Sequence, residues 1–224
     1  MIELYHCVSA RSFRPLWAME EMGLAYTLKM LPFPPRATAK DYLATNPLGT
    51  VPALLTDGVL MTESAAMCQF LADRHAPGTL SVGVNEPDYA LYLNWLHAGE
   101  ATLTFPQTLL LRYGQFEPAE RRQPQVVEDY RRWFLGRLRG VAAALDGKDW
   151  LCAGRFTVAD ISVGYALMLA GHLGMAGDFA EPVQAYWQRL STRDAFQRCL
   201  RIEQQAAADQ GVPVTPSPLL GREN

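Results

Sequence analysis

The pattern of hydrophobic and polar positions divides this chain into two unlike halves. Ile2-Glu3-Leu4-Tyr5-His6 alternates, which predicts a strand. Cys7 to Arg11 reads as a loop, and Ser12 and Pro15 open a helix that runs through Leu16, Trp17 and Met19 to a stop at Gly23. Tyr26 to Leu31 is a second strand. Such a β–α–β unit is normally a right-handed crossover with parallel strands. Pro32 to Pro35 form a rigid loop, and Asp41 to Ala44 a short helical piece. Two apolar runs follow, Pro52 to Leu55 and Val59 to Met61, on either side of Asp57-Gly58. That dipeptide predicts a hairpin, because a type I′ turn needs positive φ at both central residues. Thr62, Glu63 and Ser64 then supply capping side chains for a helix to His75, with Ala66, Met67, Phe70 and Leu71 on its apolar side.

Residues 77–88, PGTLSVGVNEPD, are rich in turn formers and read as a linker. Beyond them the strand signals vanish. Helices are predicted from Tyr89 to Leu111, Glu120 to Leu145, Phe156 to Leu173, Pro182 to Leu190 and Asp194 to Gln205. The expected organisation is an α/β domain over 1–77, the linker 78–88, an all-helical domain over 89–210 and an irregular tail over 211–224. Arg155-Phe156-Thr157-Val158-Ala159-Asp160-Ile161 carries a capping box, Thr157 with Asp160, and a staple of Phe156 and Ile161 around it. Asp160 is therefore assigned to folding rather than chemistry.

Composition narrows the partners. Hydrophobic residues make up 49% of the 224, enough for a sizeable core, and the net charge of −3 gives no reason to expect nucleic acid. No apolar run approaches a membrane span, and the N-terminus lacks a basic region followed by an apolar stretch, so a cytoplasmic setting is expected. Cys7, Cys68, Cys152 and Cys199 are scattered, which predicts reduced thiols rather than a disulfide framework or zinc site. His6 and His97 have no partners at ligand spacing, so both read as structural and no metal is expected.

The order loop, Pro52 strand, Asp57-Gly58 turn, strand, Glu63-Ser64 helix start resembles the glutathione-binding half of the glutathione transferases. The capping box matches a buried helix start in that family's second domain, so the resemblance spans roughly residues 2–205. It implies a thioredoxin-like N-terminal domain followed by an all-α C-terminal domain, with glutathione as co-substrate and a homodimer as the assembly. It further implies a cis Val51-Pro52 bond, with the Val51 backbone pairing to the cysteinyl part of glutathione. Glu63 and Ser64 would hold the γ-glutamyl end, where a helix N-terminus suits a carboxylate. Arg36 and Lys40 are candidates for the glycyl carboxylate.

Such an enzyme must make a thiolate near neutral pH from a thiol whose free pKa is about 8.5. A hydroxyl donor at the end of the first strand, aided by the dipole of the first helix, serves this purpose. Counting back from Gly23 places Ser9 where the theta-like and zeta-like soluble classes carry their serine, and Tyr5 where the tyrosine-using classes carry theirs. Ser9 is the first candidate, with Tyr5, Cys7 and Ser12 as alternatives; Ser12 also serves as a helix cap. For Arg11 and Arg14, beside the helix start, a simple solvated charge is the alternative reading. Phe105, Leu109, Tyr113 and Phe116 are candidates to line a pocket between the domains for a small hydrophobic electrophile, with helix core as their other reading. The resemblance implies detoxifying conjugation of glutathione to that electrophile. The rival readings are a non-catalytic binding or interaction module on the same fold and a Cys7-based, glutathione-dependent thiol reductase.

Overall fold

A computed structural model describes residues 1–220, in two compact units: Met1–Pro77 with Arg193–Ser217, and a second built on Gly78–Thr192. The first unit is a mixed sheet with helices. Strands β1 (Ile2–His6), β2 (Thr27–Met30), β3 (Ala53–Thr56) and β4 (Val59–Met61) lie in the order β2-β1-β3-β4. β1 runs parallel to β2 and antiparallel to β3, with Tyr5 facing Lys29 on one side and Ala53 on the other. The β3–β4 hairpin turns at Asp57 and Gly58, whose φ angles are 52° and 78°. Both signs are those the dipeptide predicts.

Helices α1 (Phe13–Met22), the single turn α2 (Pro35–Thr38) and α3 (Ser64–His75) complete the α/β part. Ser12 does not cap α1 with its side chain, contrary to the sequence expectation; its hydroxyl instead accepts the N–H of Cys7 at 3.4 Å. The start of α3 likewise makes no side-chain cap.

Helix α9 (Asp194–Asp209) belongs to this first unit, which corrects the assignment of 89–210 to one helical domain. Its docking explains the change. Phe196 meets Phe13 and Trp17 edge to face, at centroid distances of 5.3 and 4.9 Å. Arg193 makes a two-pronged pair with Glu21, and Arg198 bonds the Glu20 carboxylate at 3.0 Å. Local periodicity shows that a segment is helical, not which apolar surface it covers. The tail carries one 3-10 turn at Ser217–Leu219, and residues 221–224 of the expected irregular tail lie outside the described residues.

The second unit is helical among its described residues. It comprises α4 (Tyr89–His97), α5 (Phe105–Leu111), α6 (Pro124–Ala144), α7 (Val158–His172) and α8 (Glu181–Ser191). The helix expected over 89–111 is one continuous run, but Ala98–Thr104 within it is π-helical, as is Arg112–Phe116 after it. A Cβ at Gly99 would lie 2.3 Å from Ser162 Oγ, so the wide turn meets α7 at close range. The expected linker is bound within this unit: Arg155 donates to Ser81 O and to both oxygens of Glu86, and Asp88 accepts the Ala153 N–H at 2.6 Å.

The start of α7 carries the capping box. Thr157 Oγ1 accepts from Ala159 N–H, and Asp160 Oδ2 accepts the Thr157 N–H at 2.8 Å. Asp160 is fully buried and reaches further than a cap, since its Oδ1 accepts Leu151 N–H at 3.2 Å and the Tyr186 hydroxyl at 2.7 Å. Burial pushes its carboxyl up to about 6, against the opposing pull of those donors.

Asp160→Ala therefore removes a cap and leaves four buried donors without this acceptor, for an expected loss of about 3 kcal/mol in urea unfolding. The sign with pH follows from the raised carboxyl. The folded state holds this proton more tightly, so the group's stabilising contribution is full below the ordinary value of about 3.9 and is lost as pH rises through about 6. The gap between parent and variant should be wider at about pH 4.5 than at about pH 7. A gap that widens toward neutral pH would contradict the assignment.

Candidate functional site

Several polar features of the first unit are gathered around Val51. The Val51-Pro52 peptide is cis, and so is Phe33-Pro34. The backbone N–H and C=O of Val51, just ahead of β3, have no hydrogen-bond partner among the described residues. The turn before it is built by Asn46, which is buried. Its amide donates to Thr50 O at 2.9 Å and its Oδ1 accepts Leu48 N–H at 3.1 Å, while the Tyr42 hydroxyl also bonds Thr50 O at 2.7 Å. Gly49 sits at φ 60°, and a Cβ there would lie 2.6 Å from Arg36 Cβ. Only glycine suits a left-handed position that close to another chain segment. Val51 then packs in one apolar cluster with Cys7, Ala10, Tyr42 and Ala53, which brings the β1–α1 loop to the same place.

At the start of α3, Glu63 is exposed and its carboxylate makes no cap. Ser64 is buried, and its hydroxyl accepts a bond of 3.2 Å from Arg14 Nη1. Arg14, for which a solvated charge is one reading of the sequence, is fully buried. A guanidinium held out of water on α1 thus meets the N-terminus of α3 at Ser64. Arg36 and Lys40 are exposed on the segment before the Asn46 turn, where Lys40 Nζ donates to Arg36 O.

The β1–α1 loop corrects the sequence-based choice of donor. Ser9 is buried with φ 55°, and its hydroxyl donates to Glu203 Oε1 at 3.0 Å. A serine hydroxyl has one proton, so in this conformation Ser9 offers none to a ligand. Tyr5, Cys7 and Ser12 are constrained too. Burial pushes the Tyr5 phenol up, helped by a bond with Glu3, and its ring lies 5.1 Å from that of Tyr42. Cys7 has no exposure, and burial drives its thiol far above the ordinary range. Ser12 is fully buried behind the loop. Arg11 is half-buried beside Ala10.

In the second unit, Phe105, Leu109, Tyr113 and Phe116 follow one another along α5 and the π turn after it. Phe105 is 52% and Phe116 42% exposed, so these two are not core; Leu109 and Tyr113 are half-buried. Three residues that matter to the first-unit site carry little or no local signal of their role. Asn46 looks like turn punctuation and nothing more. Arg14 has one available sign, its place among the otherwise apolar positions of Phe13–Met19 in the first helix. Glu203 has none, because its contacts lie 194 and 197 residues away.

Among the described residues no group of side chains suits a metal ion, and no helix is long and apolar enough to cross a membrane. Residues 8–74 match the family model described as glutathione S-transferase, N-terminal domain. The chain is 30% identical to glutathione S-transferase GstA of Escherichia coli O157:H7, over 90% of this chain and 98% of that one. Among solved structures it resembles a ternary complex of BphK, a bacterial glutathione transferase, with TM-score 0.78 and 29% identity over 90% of this chain and 98% of that one. It also resembles a sphingomonad glutathione S-transferase complexed with glutathione, with TM-score 0.77 and 26% identity over the same shares.

All four cysteines are buried free thiols, and burial raises each, Cys68 to about 12 and Cys152 to about 11. Thiolate is the reactive form. A chromogenic disulfide reagent at neutral pH should leave the folded protein unlabelled and titrate four thiols once it is unfolded. Rapid labelling of one thiol in the folded protein, lost in Cys7→Ala, would restore the thiol-reductase reading.

Proposed function

The chain belongs to the glutathione S-transferase family and is a glutathione transferase enzyme, and we propose that its first unit binds glutathione and activates the thiol for attack on a soft, hydrophobic electrophile. The observation that carries this is the open backbone of Val51 packed beside the β1–α1 loop. A strand mouth with an unpaired N–H and C=O pairs naturally with an extended peptide. In this reading the cysteinyl part of glutathione pairs with Val51, which directs its sulfur toward Ala10 and Arg11. The γ-glutamyl carboxylate meets the N-terminus of α3 and the Ser64 hydroxyl, with the buried Arg14 charge behind it. Glu63 faces the ammonium of the same residue. Arg36 and Lys40 meet the glycyl carboxylate.

The thiolate in this reading rests on the half-buried Arg11 and the dipole of α1, because the Ser9 proton is engaged by Glu203. Within the second unit, the exposed Phe105 and Phe116, with Leu109 and Tyr113, offer apolar surface of the kind a hydrophobic electrophile needs. Once the thiolate attacks, a carbon–sulfur bond forms and the leaving group departs with the electron pair of its own bond. The enzyme acts as a homodimer in the cytoplasm, with glutathione as co-substrate and no metal, nucleic acid or membrane partner.

Calorimetry with glutathione and turnover of a generic aryl halide test the proposal directly. Ser64→Ala should weaken glutathione by about tenfold or more, because a hydrogen bond to a charged group is worth about 1.5–3 kcal/mol. Unchanged affinity in a folded variant would remove Ser64 from the site. Arg11→Ala should move the pH profile of turnover upward, with Arg11→Lys restoring part of the loss. If Tyr5→Phe moves the profile and Arg11→Ala does not, the thiolate is stabilised by a tyrosine and the role given to Arg11 is wrong.

A further inference from the structure

We propose that Glu203, on α9, is a positioning residue for the thiolate: its buried carboxylate sets the shape of the β1–α1 loop that faces the glutathione sulfur. The proposal rests on the reading of that loop as the thiolate site. Glu203 is 1% exposed and spends both oxygens on this loop and the strand before it. Oε2 accepts the Ser9 N–H at 2.9 Å and lies 2.9 Å from His6 Nε2, and Oε1 accepts the Ser9 hydroxyl at 3.0 Å.

These bonds hold Ser9 in a conformation it would not choose. At φ 55° a residue with a Cβ is in the left-handed region, where its Cβ crowds the backbone. The carboxylate offsets that strain by binding the amide and the hydroxyl of the same residue. The next residue, Ala10, joins the Val51 cluster, and Arg11 follows it. The turn at Ser9 thus decides where Ala10 and Arg11 stand.

Helix docking does not account for Glu203. α9 is already held by Phe196 against Phe13 and Trp17, and by the Arg193–Glu21 and Arg198–Glu20 pairs. At its other end Ala207 packs with Val8 and Met30, while Gln210 bonds Met30 N–H and Leu28 O. A buried carboxylate carries a desolvation cost that an apolar side chain at this position would avoid. What an apolar side chain would not supply is three directed acceptor contacts to His6 and Ser9. Glutamine is the discriminating substitution. It matches the shape, but it presents an NH2 group where Glu203 presents only acceptors, and one of the two donors from Ser9 or the His6 ring must lose its partner.

The test compares the parent with Glu203→Gln in three readouts: glutathione affinity by calorimetry, the pKa of bound glutathione from thiolate ultraviolet absorbance, and the melting temperature. The proposal expects affinity to change little, because Val51, Glu63 and Ser64 are untouched. It expects the pKa of bound glutathione to rise by about one unit, which lowers the thiolate fraction at neutral pH by up to about tenfold. Ser9→Ala, which keeps the carboxylate on the Ser9 amide, should shift the pKa the same way by less. A lower melting temperature with an unmoved pKa overturns the proposal and leaves Glu203 a stabilising residue only. A pKa that falls also overturns it, since a Ser9 hydroxyl freed to donate to sulfur would do that. If Glu203→Gln does not fold, Glu203→Asp, one methylene shorter, is measured in the same three ways, and a raised, unmoved or lowered pKa decides as before. Failure of the site reading looks different. There the parent does not bind glutathione, or Ser64→Ala leaves affinity unchanged, and the proposal falls with it.

Discussion

A single carboxylate from the end of the chain shapes the loop near its start. Glu203 reaches Ser9 and His6 across 194 and 197 residues of sequence, and it does so with almost no exposure to water. A buried charge is tolerated only when its lone pairs are met, and here the two donors of Ser9 and the His6 ring meet them. The constraint runs both ways. The loop needs the carboxylate to hold a left-handed serine, and the carboxylate needs the loop to be buried at all. Next to that contact stand other parts of the first unit: Ala10 in the Val51 cluster, Arg11 beside it, and α1 leading Arg14 back to Ser64.

The binding half is legible where its signals are local. The Asp57-Gly58 turn, the strand after Pro52 and the helix from Ser64 follow from backbone preferences that a few adjacent residues decide. The same is true of the capping box at Thr157 and Asp160. Local signals fail where a side chain chooses between a near and a distant partner. Capping is the nearest use for a serine before a helix, yet the Ser12 hydroxyl takes the Cys7 N–H. Ser9 looks like a free donor because nothing close in sequence competes for its proton. Its competitor is on the last helix, and the placement of that helix with the first unit depends on aromatic packing that periodicity does not encode.

The proposed recognition through backbone explains why the family is readable and the substrate is not. The open N–H and C=O of Val51 stand beside a proline, a glycine at positive φ and the Asn46 side chain that ties Leu48 and Thr50 into the turn. Those residue types have few substitutes, so they leave a mark in the sequence. The apolar positions Phe105, Leu109, Tyr113 and Phe116 leave a weaker one. Their spacing fits a packed helix face as well as a ligand surface, and only the exposure of Phe105 and Phe116 separates the two.

Arg14 and Glu203 apply one physical device to opposite ends of the proposed ligand. Each is a buried ionic side chain that directs a serine hydroxyl, Arg14 by donating to Ser64 and Glu203 by accepting from Ser9. The difference in sign matters. Donation from Arg14 leaves the Ser64 proton available to an anion, so Ser64 can bind a carboxylate. Acceptance by Glu203 consumes the Ser9 proton, so Ser9 serves as a fixed corner of the backbone. Two serines that look equivalent in sequence therefore have opposite capacities, and the charge behind each one decides which.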